Sequence, residues 1–367
     1  MTVQSVRIAY VINSVEGGGA ASPVPAVLRV LRDGGAEVAV FALTPRDRRG
    51  EAAMRAAGLA VHVRDGGEAD HVAALRWLDH QLRAWAPTHL WTSLTRATLL
   101  GQLIGWRRGW PVVSWQHAAF LKPANRMLLR LMQRASRLWI GDSAAVTRLT
   151  AERLRVPAER LVQWSIFRAD PAARQAAAWR PGETLRIGTL GRLHPVKGYD
   201  VLIEALAQVT TTTPFEVAIA GDGAERAALE ALAAARSVTG VRFIGYAADP
   251  AGFLATCHLY VQPSRSEGLC VGAHEAMQAG LPVVASRVGE LAESVVDGVT
   301  GRLVPPGDAA ALARALSACL ADPAALAAMG QAGRMRVLER FGLDRFAATG
   351  LAILARLAAF GAGARAS

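Results

Sequence analysis

SRSEGLCVGAHEAMQAG, residues 264–280, decides how the rest of the chain is read. The HLYVQP before it is a short apolar run ending in Pro263 and reads as a buried strand. CVGAHEAMQA carries good helix formers and stops at Gly280, so strand, loop and helix follow one another. In that arrangement Glu267 and the N–H groups of Gly268, Leu269 and Cys270 gather at a helix N-terminus, which favours anions. Glu275 lies a turn or so further in, where a ribose would sit beside a docked diphosphate. The same residues also describe one solvated Glu in a loop and one on an exposed helix face, and the stretch alone does not separate these readings.

Moving outward, GRLHPVKG (191–198) opens its turn with Gly191, puts Arg192 just after a strand and brings Lys197 to the start of the next helix. Arginine forks two phosphate oxygens and lysine adds a point charge. Together they would oppose the charge of a phosphate group without reorganising. Pairing with surface acids is the plainer reading of the same two residues. Lys122 and Lys197 are the only lysines in a chain otherwise charged by arginine, which makes the ammonium kept inside KG informative. IAGDG (219–223) reads as a strand-end turn, or as Asp222 capping the following helix.

The chain's 367 residues exceed what one hydrophobic core usually supports, so two domains are expected. Cys257, Cys270 and Cys319 have neither CxxC spacing nor metal-ligand partners, which points to a reducing compartment without a structural metal. No stretch approaches the length of a membrane span, and IAYVI after Arg7 is too short for a signal peptide. The expected location is the cytoplasm, or the cytoplasmic face of the inner membrane as a peripheral protein. A net charge of +11 suits anionic nucleotides or acidic lipid. No motif that reads DNA or RNA is present, so nucleic acid ranks last.

Apolar runs at 6–12, 37–43, 59–63, 88–92, 111–115 and 137–140 alternate with helical stretches, the rhythm of a parallel sheet. EGGGAAS after the first run is a glycine turn opening a helix. A Rossmann fingerprint would place Gly or Ala where Ser22 stands and an acid after the second strand, so NAD binding is discounted. PVVSWQHA ends in His117, where a strand gives way to a loop, and the carboxyl ends of parallel strands are where α/β domains place ligand groups. KPANRMLLRLMQRASRLW sets Arg126, Arg130 and Arg134 four apart on one helical face, which fits anionic lipid or an ordinary solvated face. Asp142 and Ser143 are N-cap candidates for the next helix. Alternation is lost between Trp164 and Glu183 and then resumes through LRIGTLGRL, EVAIAG, VRFIG, HLYVQ, LPVVAS and GRLV.

EGLCVGAHEAMQAGLPVVAS resembles the E-x7-E segment of retaining glycosyltransferases of family 4, which have the GT-B fold. GRLHPVKG, IAGDG, FIG (243–245) and ESVVDGVTGRLVPPGD (293–308) resemble that family's other segments, in its order. The resemblance implies an α/β protein of two facing Rossmann-like domains with parallel sheets and a C-terminal crossover helix. Residues 1–170 would bind the acceptor, 171–342 the nucleotide sugar, and 343–367 would pack back on the first domain. It further implies transfer of a hexose from a nucleotide-diphosphate sugar, such as a UDP- or GDP-hexose, to a saccharide or lipid-linked acceptor, with retention at the anomeric carbon. Bacterial cell-surface polysaccharide, lipopolysaccharide or glycolipid synthesis is the natural setting, and no cofactor or metal is expected.

Carried over residue by residue, the resemblance gives Arg192 and Lys197 to the diphosphate, Glu275 to the ribose, and Glu267 with His117 to the sugar. Gly18 and Gly19 match the family's Gly-Gly turn near the donor phosphates, joined on the donor side by Gly191, Gly268, Leu269 and Cys270. A nucleotide-sugar epimerase of the same architecture, or a non-catalytic nucleotide-sugar-binding protein on a membrane, would keep many of these residues. Product analysis separates the three.

Overall fold

The computed structural model describes residues 6–19, 21–117 and 121–363, the last three by backbone alone. The chain divides into two compact units, the first running to Arg168 and including the residues from Leu343, the second spanning Ala169–Gly342.

The first unit holds strands β1 (Arg7–Ser14), β2 (Glu37–Thr44), β3 (Ala60–Val63), β4 (His89–Ser93), β5 (Val112–Gln116), β6 (Leu138–Gly141) and β7 (Leu161–Gln163). Its first six helices are α1 (Val24–Asp33), α2 (Glu51–Ala56), α3 (His71–Trp85), α4 (Thr95–Arg108), α5 (Pro123–Met132) and α6 (Ala144–Leu154). All strand pairs are parallel, in the order β3-β2-β1-β4-β5-β6-β7. Such strands are covered on both faces and therefore read as nearly continuous apolar runs, as VAVFAL in β2 does. Val11, Phe41, Leu78, Leu82, Leu90 and Ile104 form one of its cores.

The second unit repeats the pattern with β8 (Leu185–Leu190), β9 (Phe215–Ala220), β10 (Val241–Gly245), β11 (Leu259–Gln262), β12 (Val283–Ser286) and β13 (Gly301–Val304). Between and after them lie α7 (Tyr199–Leu206), α8 (Arg226–Ala235), α9 (Pro250–Ala255), α10 (Val271–Gln278), α11 (Leu291–Ser294), α12 (Ala309–Ala321) and α13 (Leu326–Phe341). The parallel order is β10-β9-β8-β11-β12-β13. In each sheet the order reverses once, between β1 and β4 and between β8 and β11. Open α/β sheets leave a crevice beyond the carboxyl ends of the strands at that switch point. Both units are Rossmann-like, the architecture that the resemblance to GT-B proteins implies.

The last helix, α14 (Leu343–Gly363), belongs to the first unit. Trp164 Nε1 donates to the Phe346 carbonyl at 2.9 Å, and His89 Nε2 meets the Leu357 carbonyl at 2.9 Å. Trp164 also stacks on Trp115, with ring centroids 5.0 Å apart, so α14 is fixed to the aromatic centre of the unit.

Four local readings need correction. The helix carrying Arg126 and Arg130 stops at Met132, so Arg134 lies in the following 3-10 turn rather than on the same helical face. Ser143 alone caps α6, accepting from the Val146 N–H at 3.1 Å, while the Asp142 side chain turns to His117. Asp222 is not the N-cap of α8, because that helix starts later, with Glu225 in the cap position. The short edge strand β7 falls where the sequence shows no separate apolar run.

Candidate functional site

In the second unit the two loops leaving β8 and β11 meet at the switch point. The β8 loop runs through Gly191, Arg192 and a 3-10 turn at 195–197, and the β11 loop carries Glu267. Their contact depends on Gly198, held at φ +67°, where a Cβ would stand 2.1 Å from the Pro263 carbonyl oxygen. Gly289 (φ +54°) lets a second loop pass as closely, since a Cβ there would lie 2.3 Å from the Glu267 carbonyl oxygen. Neither close approach is visible in the motif itself.

Lys197 Nζ donates to Glu267 Oε1 at 2.7 Å, and the Ser264 hydroxyl donates to the same oxygen at 2.6 Å. Glu267 is buried, and side-chain exposure is 22% for Lys197. Burial works against the ammonium, but the Glu267 carboxylate outweighs it and holds the Lys197 pKa above its ordinary value. The two cations differ in their surroundings. Arg192 is exposed and makes no hydrogen bond or ion pair with a described residue, so its fork is available to an anion. Lys197 is already engaged by the carboxylate expected to meet the sugar.

Cys270 occupies the cap of α10 in the left-handed region (φ +67°), an uncommon conformation for a residue with a Cβ. This turns the loop sharply into the helix. The N–H groups of Gly268, Leu269 and Cys270 donate to no described residue and stand at the positive end of α10. Below them His274 is fully buried, its Nδ1 on the Cys270 carbonyl at 2.9 Å and its Nε2 on Ser294 Oγ at 2.8 Å, which fixes the helix start. One position on, Glu275 is half-buried and hydrogen-bonded to no described residue through its carboxyl group. Desolvation pushes its pKa up to about 7. A desolvated carboxylate without donors is one that ligand hydroxyls would satisfy.

In the first unit, Gly18 and Gly19 sit in an exposed turn after β1, and a Cβ on Gly18 would meet nothing within 4 Å. The Ala21 and Ser22 N–H groups close this turn on the Gly18 carbonyl at 3.1 and 3.0 Å. His117 follows β5 with both ring nitrogens engaged, Nε2 with Ser93 Oγ at 2.7 Å and Nδ1 with Asp142 Oδ2 at 3.3 Å. Burial raises the Asp142 pKa, against the pull of His117. Ser93, His117 and Asp142 are spaced like a hydrolytic triad, yet Ser93 is 0% exposed, so it orients the ring rather than attacking a substrate. Sequence reading missed both partners, because they lie 24 and 25 positions from His117, one at the end of β4 and one just after β6.

Among the described residues, no group of three or more His, Cys, Asp or Glu side chains is placed to hold a metal ion, and no single helix is long and apolar enough to cross a membrane.

Comparison with known proteins bears on this site. Residues 184–322, which include Gly191, Arg192, Lys197, Glu267 and Glu275, match the family described as glycosyl transferases group 1. The lipopolysaccharide core biosynthesis mannosyltransferase LpcC of Rhizobium leguminosarum bv. viciae is 32% identical over 194 residues, 50% of this chain and 54% of that protein. A GDP-mannose-dependent alpha-(1-6)-phosphatidylinositol monomannoside mannosyltransferase of Mycolicibacterium smegmatis is 36% identical over 189 residues, 48% of this chain and 49% of its own. The chain thus spans about half the length of the curated relatives it matches. Among solved structures, Anabaena Alr3699/HepE in complex with UDP-glucose superposes with a TM-score of 0.82 at 21% identity, covering 95% of this chain and 99% of that one. Sucrose-phosphate synthase from Thermosynechococcus elongatus gives 0.79 at 21% identity, over 96% and 99%. At such identities the superpositions establish the fold.

Proposed function

We propose, from the premise that this chain belongs to the glycosyl transferases group 1 family and has the GT-B fold, that it transfers a hexose from a nucleotide-diphosphate sugar with retention at the anomeric carbon. The observation that carries the reading is the convergence at one switch point of Arg192 and the N–H groups before α10, none of them paired with a described residue, and a buried Lys197–Glu267 pair. Arg192 and the helix N-terminus receive the diphosphate. Lys197 faces the bond between phosphate and sugar, where negative charge grows as the glycosidic oxygen departs. Glu275 accepts from the ribose hydroxyls, and Glu267 meets the sugar. His117, held through both ring nitrogens, serves as a fixed wall of the sugar or acceptor site and not as a proton carrier. The chemistry assigned to these residues needs no metal ion.

The acceptor in this reading is a saccharide or lipid-linked saccharide of the bacterial surface. Relatives named for lipopolysaccharide core and phosphatidylinositol mannoside synthesis support it. So does α5, which exposes Met127 (59%) and Leu131 (73%) beside Arg126 and Arg130, cations without an acidic partner among the described residues. An anionic membrane surface satisfies both features. Incubation with radiolabelled UDP-glucose, UDP-galactose and GDP-mannose, with and without lipid extract, tests the proposal. Labelled saccharide or glycolipid with the donor's anomeric configuration is expected, with slow sugar release when acceptor is absent. A sugar epimer still attached to nucleotide would identify an epimerase, and binding without turnover a non-catalytic protein.

A further inference from the structure

Tyr260, Gln262 and Ser264 alternate along β11 and just beyond it, so their side chains leave the backbone on one side, and all three are completely buried. A buried parallel strand ordinarily fills such positions with Val, Ile or Leu. Here they form one hydrogen-bonded file. The Leu190 N–H donates to the Tyr260 oxygen at 3.1 Å, and the Tyr260 hydroxyl donates to Gln262 Oε1 at 2.9 Å. Gln262 Nε2 donates to Ser264 Oγ at 2.7 Å, and the Ser264 hydroxyl donates to Glu267 Oε1 at 2.6 Å. Lys197 Nζ donates to that same oxygen at 2.7 Å.

The file has a direction. The Tyr260 hydroxyl also lies 3.2 Å from the Leu190 carbonyl, but the amide oxygen at 2.9 Å is the nearer acceptor, and with the proton there the amide nitrogen turns toward Ser264. With its oxygen occupied by that N–H, Ser264 has a single proton to give, and it goes to Glu267. Donors therefore converge on Oε1, while Oε2 receives none of them. Polar groups this deep are costly unless every one is satisfied, and a satisfied network fixes one arrangement.

We infer that Gln262 and Ser264 are positioning residues for Glu267: they pin Oε1 and leave Oε2 as the oxygen offered to the transferred sugar. This rests on the proposed role of Glu267 in sugar transfer. The β8 turn carrying Arg192 and the carboxylate are thereby held to one another through side chains, with Leu190 as the fixed end.

Ser264→Ala and Gln262→Met test the inference. Turnover of the nucleotide sugar used by the wild type should fall about tenfold to a hundredfold in Ser264→Ala and less in Gln262→Met, the usual range for losing a group that orients a reacting one. Affinity for UDP or GDP alone, measured by calorimetry, should stay within about twofold, a split that a merely structural defect would not produce. If Ser264→Ala does not fold, Gln262→Met is read by the same split. Turnover equal to wild type in the folded variants overturns the inference, as does a loss of nucleoside diphosphate affinity as large as the loss of turnover. Should the wild type process no nucleotide sugar, the proposed function fails separately. A cycle of Ser264→Ala and Glu267→Gln in urea unfolding then still reads the file, with non-additive effects expected and additive effects contradicting it.

Discussion

Replacing Glu275 by Gln should make the protein more stable and a poorer nucleotide binder, two opposite effects of one atom. The carboxyl is half-buried and hydrogen-bonded to no described residue, and desolvation raises its pKa from 4.5 to about 7. A raised carboxyl pKa means that the folded chain binds the proton more tightly than the unfolded one. Stability therefore declines as pH rises through the window from 4.5 to about 7 and levels off above it. At 1.36 kcal/mol per pH unit the full rise corresponds to about 3 kcal/mol, an upper value for a side chain that water still reaches. Gln cannot ionise and escapes this cost. In urea unfolding at pH 5 the variant should lie within about 1 kcal/mol of wild type, and at pH 8 it should be more stable by about 2–3 kcal/mol. Ribose hydroxyls prefer the ionised form, so nucleoside diphosphate binding near pH 6.5 should release a proton. Calorimetry in two buffers of different ionisation enthalpy detects that release, which should vanish in the variant. A Gln variant no more stable than wild type at pH 8, or binding without proton release, would refute the reasoning.

Other substitutions separate the cations by their surroundings. Arg192→Ala should lower turnover about a hundredfold without changing thermal stability, because the guanidinium is exposed and pairs with no described residue; near-normal kinetics would remove it from the site. Lys197→Ala should cost turnover and also about 3 kcal/mol of stability, since it strands the buried Glu267, and a variant as stable as wild type would contradict the buried pair. Changing Arg126, Arg130 and Arg134 together to Glu should abolish sedimentation with anionic vesicles. Wild-type binding should weaken with added salt, and equal binding to neutral vesicles would defeat the lipid reading of α5.

Much of the fold is legible because buried parallel strands write themselves as short apolar runs. Twelve of them stand out in the sequence, from IAYVI in β1 to GRLV in β13, whereas LVQ of β7, an edge strand of three residues, carries too little signal. At the site, residue types are legible and pairings are not. Glu267 and Lys197 announce themselves by spacing and by the scarcity of lysine, but their mutual ion pair joins positions 70 apart in sequence. It exists because Gly198 and Gly289 let backbones touch, which is a property of volume and not of pattern. Asp142 shows the same limit from another side. Beside Ser143 it looks like a cap, and only the parallel register of β5 and β6 brings it under His117. Tyr260, Gln262 and Ser264 read as strand and loop residues until the pleat shows that they share a face.

Calorimetric titration of Glu267→Gln and Glu275→Gln, each with the nucleoside diphosphate and with the intact nucleotide sugar, tests most directly whether the two carboxylates divide the donor between them. The account predicts that Glu275→Gln weakens both ligands about equally, by roughly tenfold or more for loss of a charged hydrogen-bond acceptor. Glu267→Gln should bind the nucleoside diphosphate nearly as wild type does, yet lose affinity for the nucleotide sugar or the rate of its transfer. Loss of nucleoside diphosphate binding in Glu267→Gln, with Glu275→Gln unaffected, would contradict the assignment of both carboxylates.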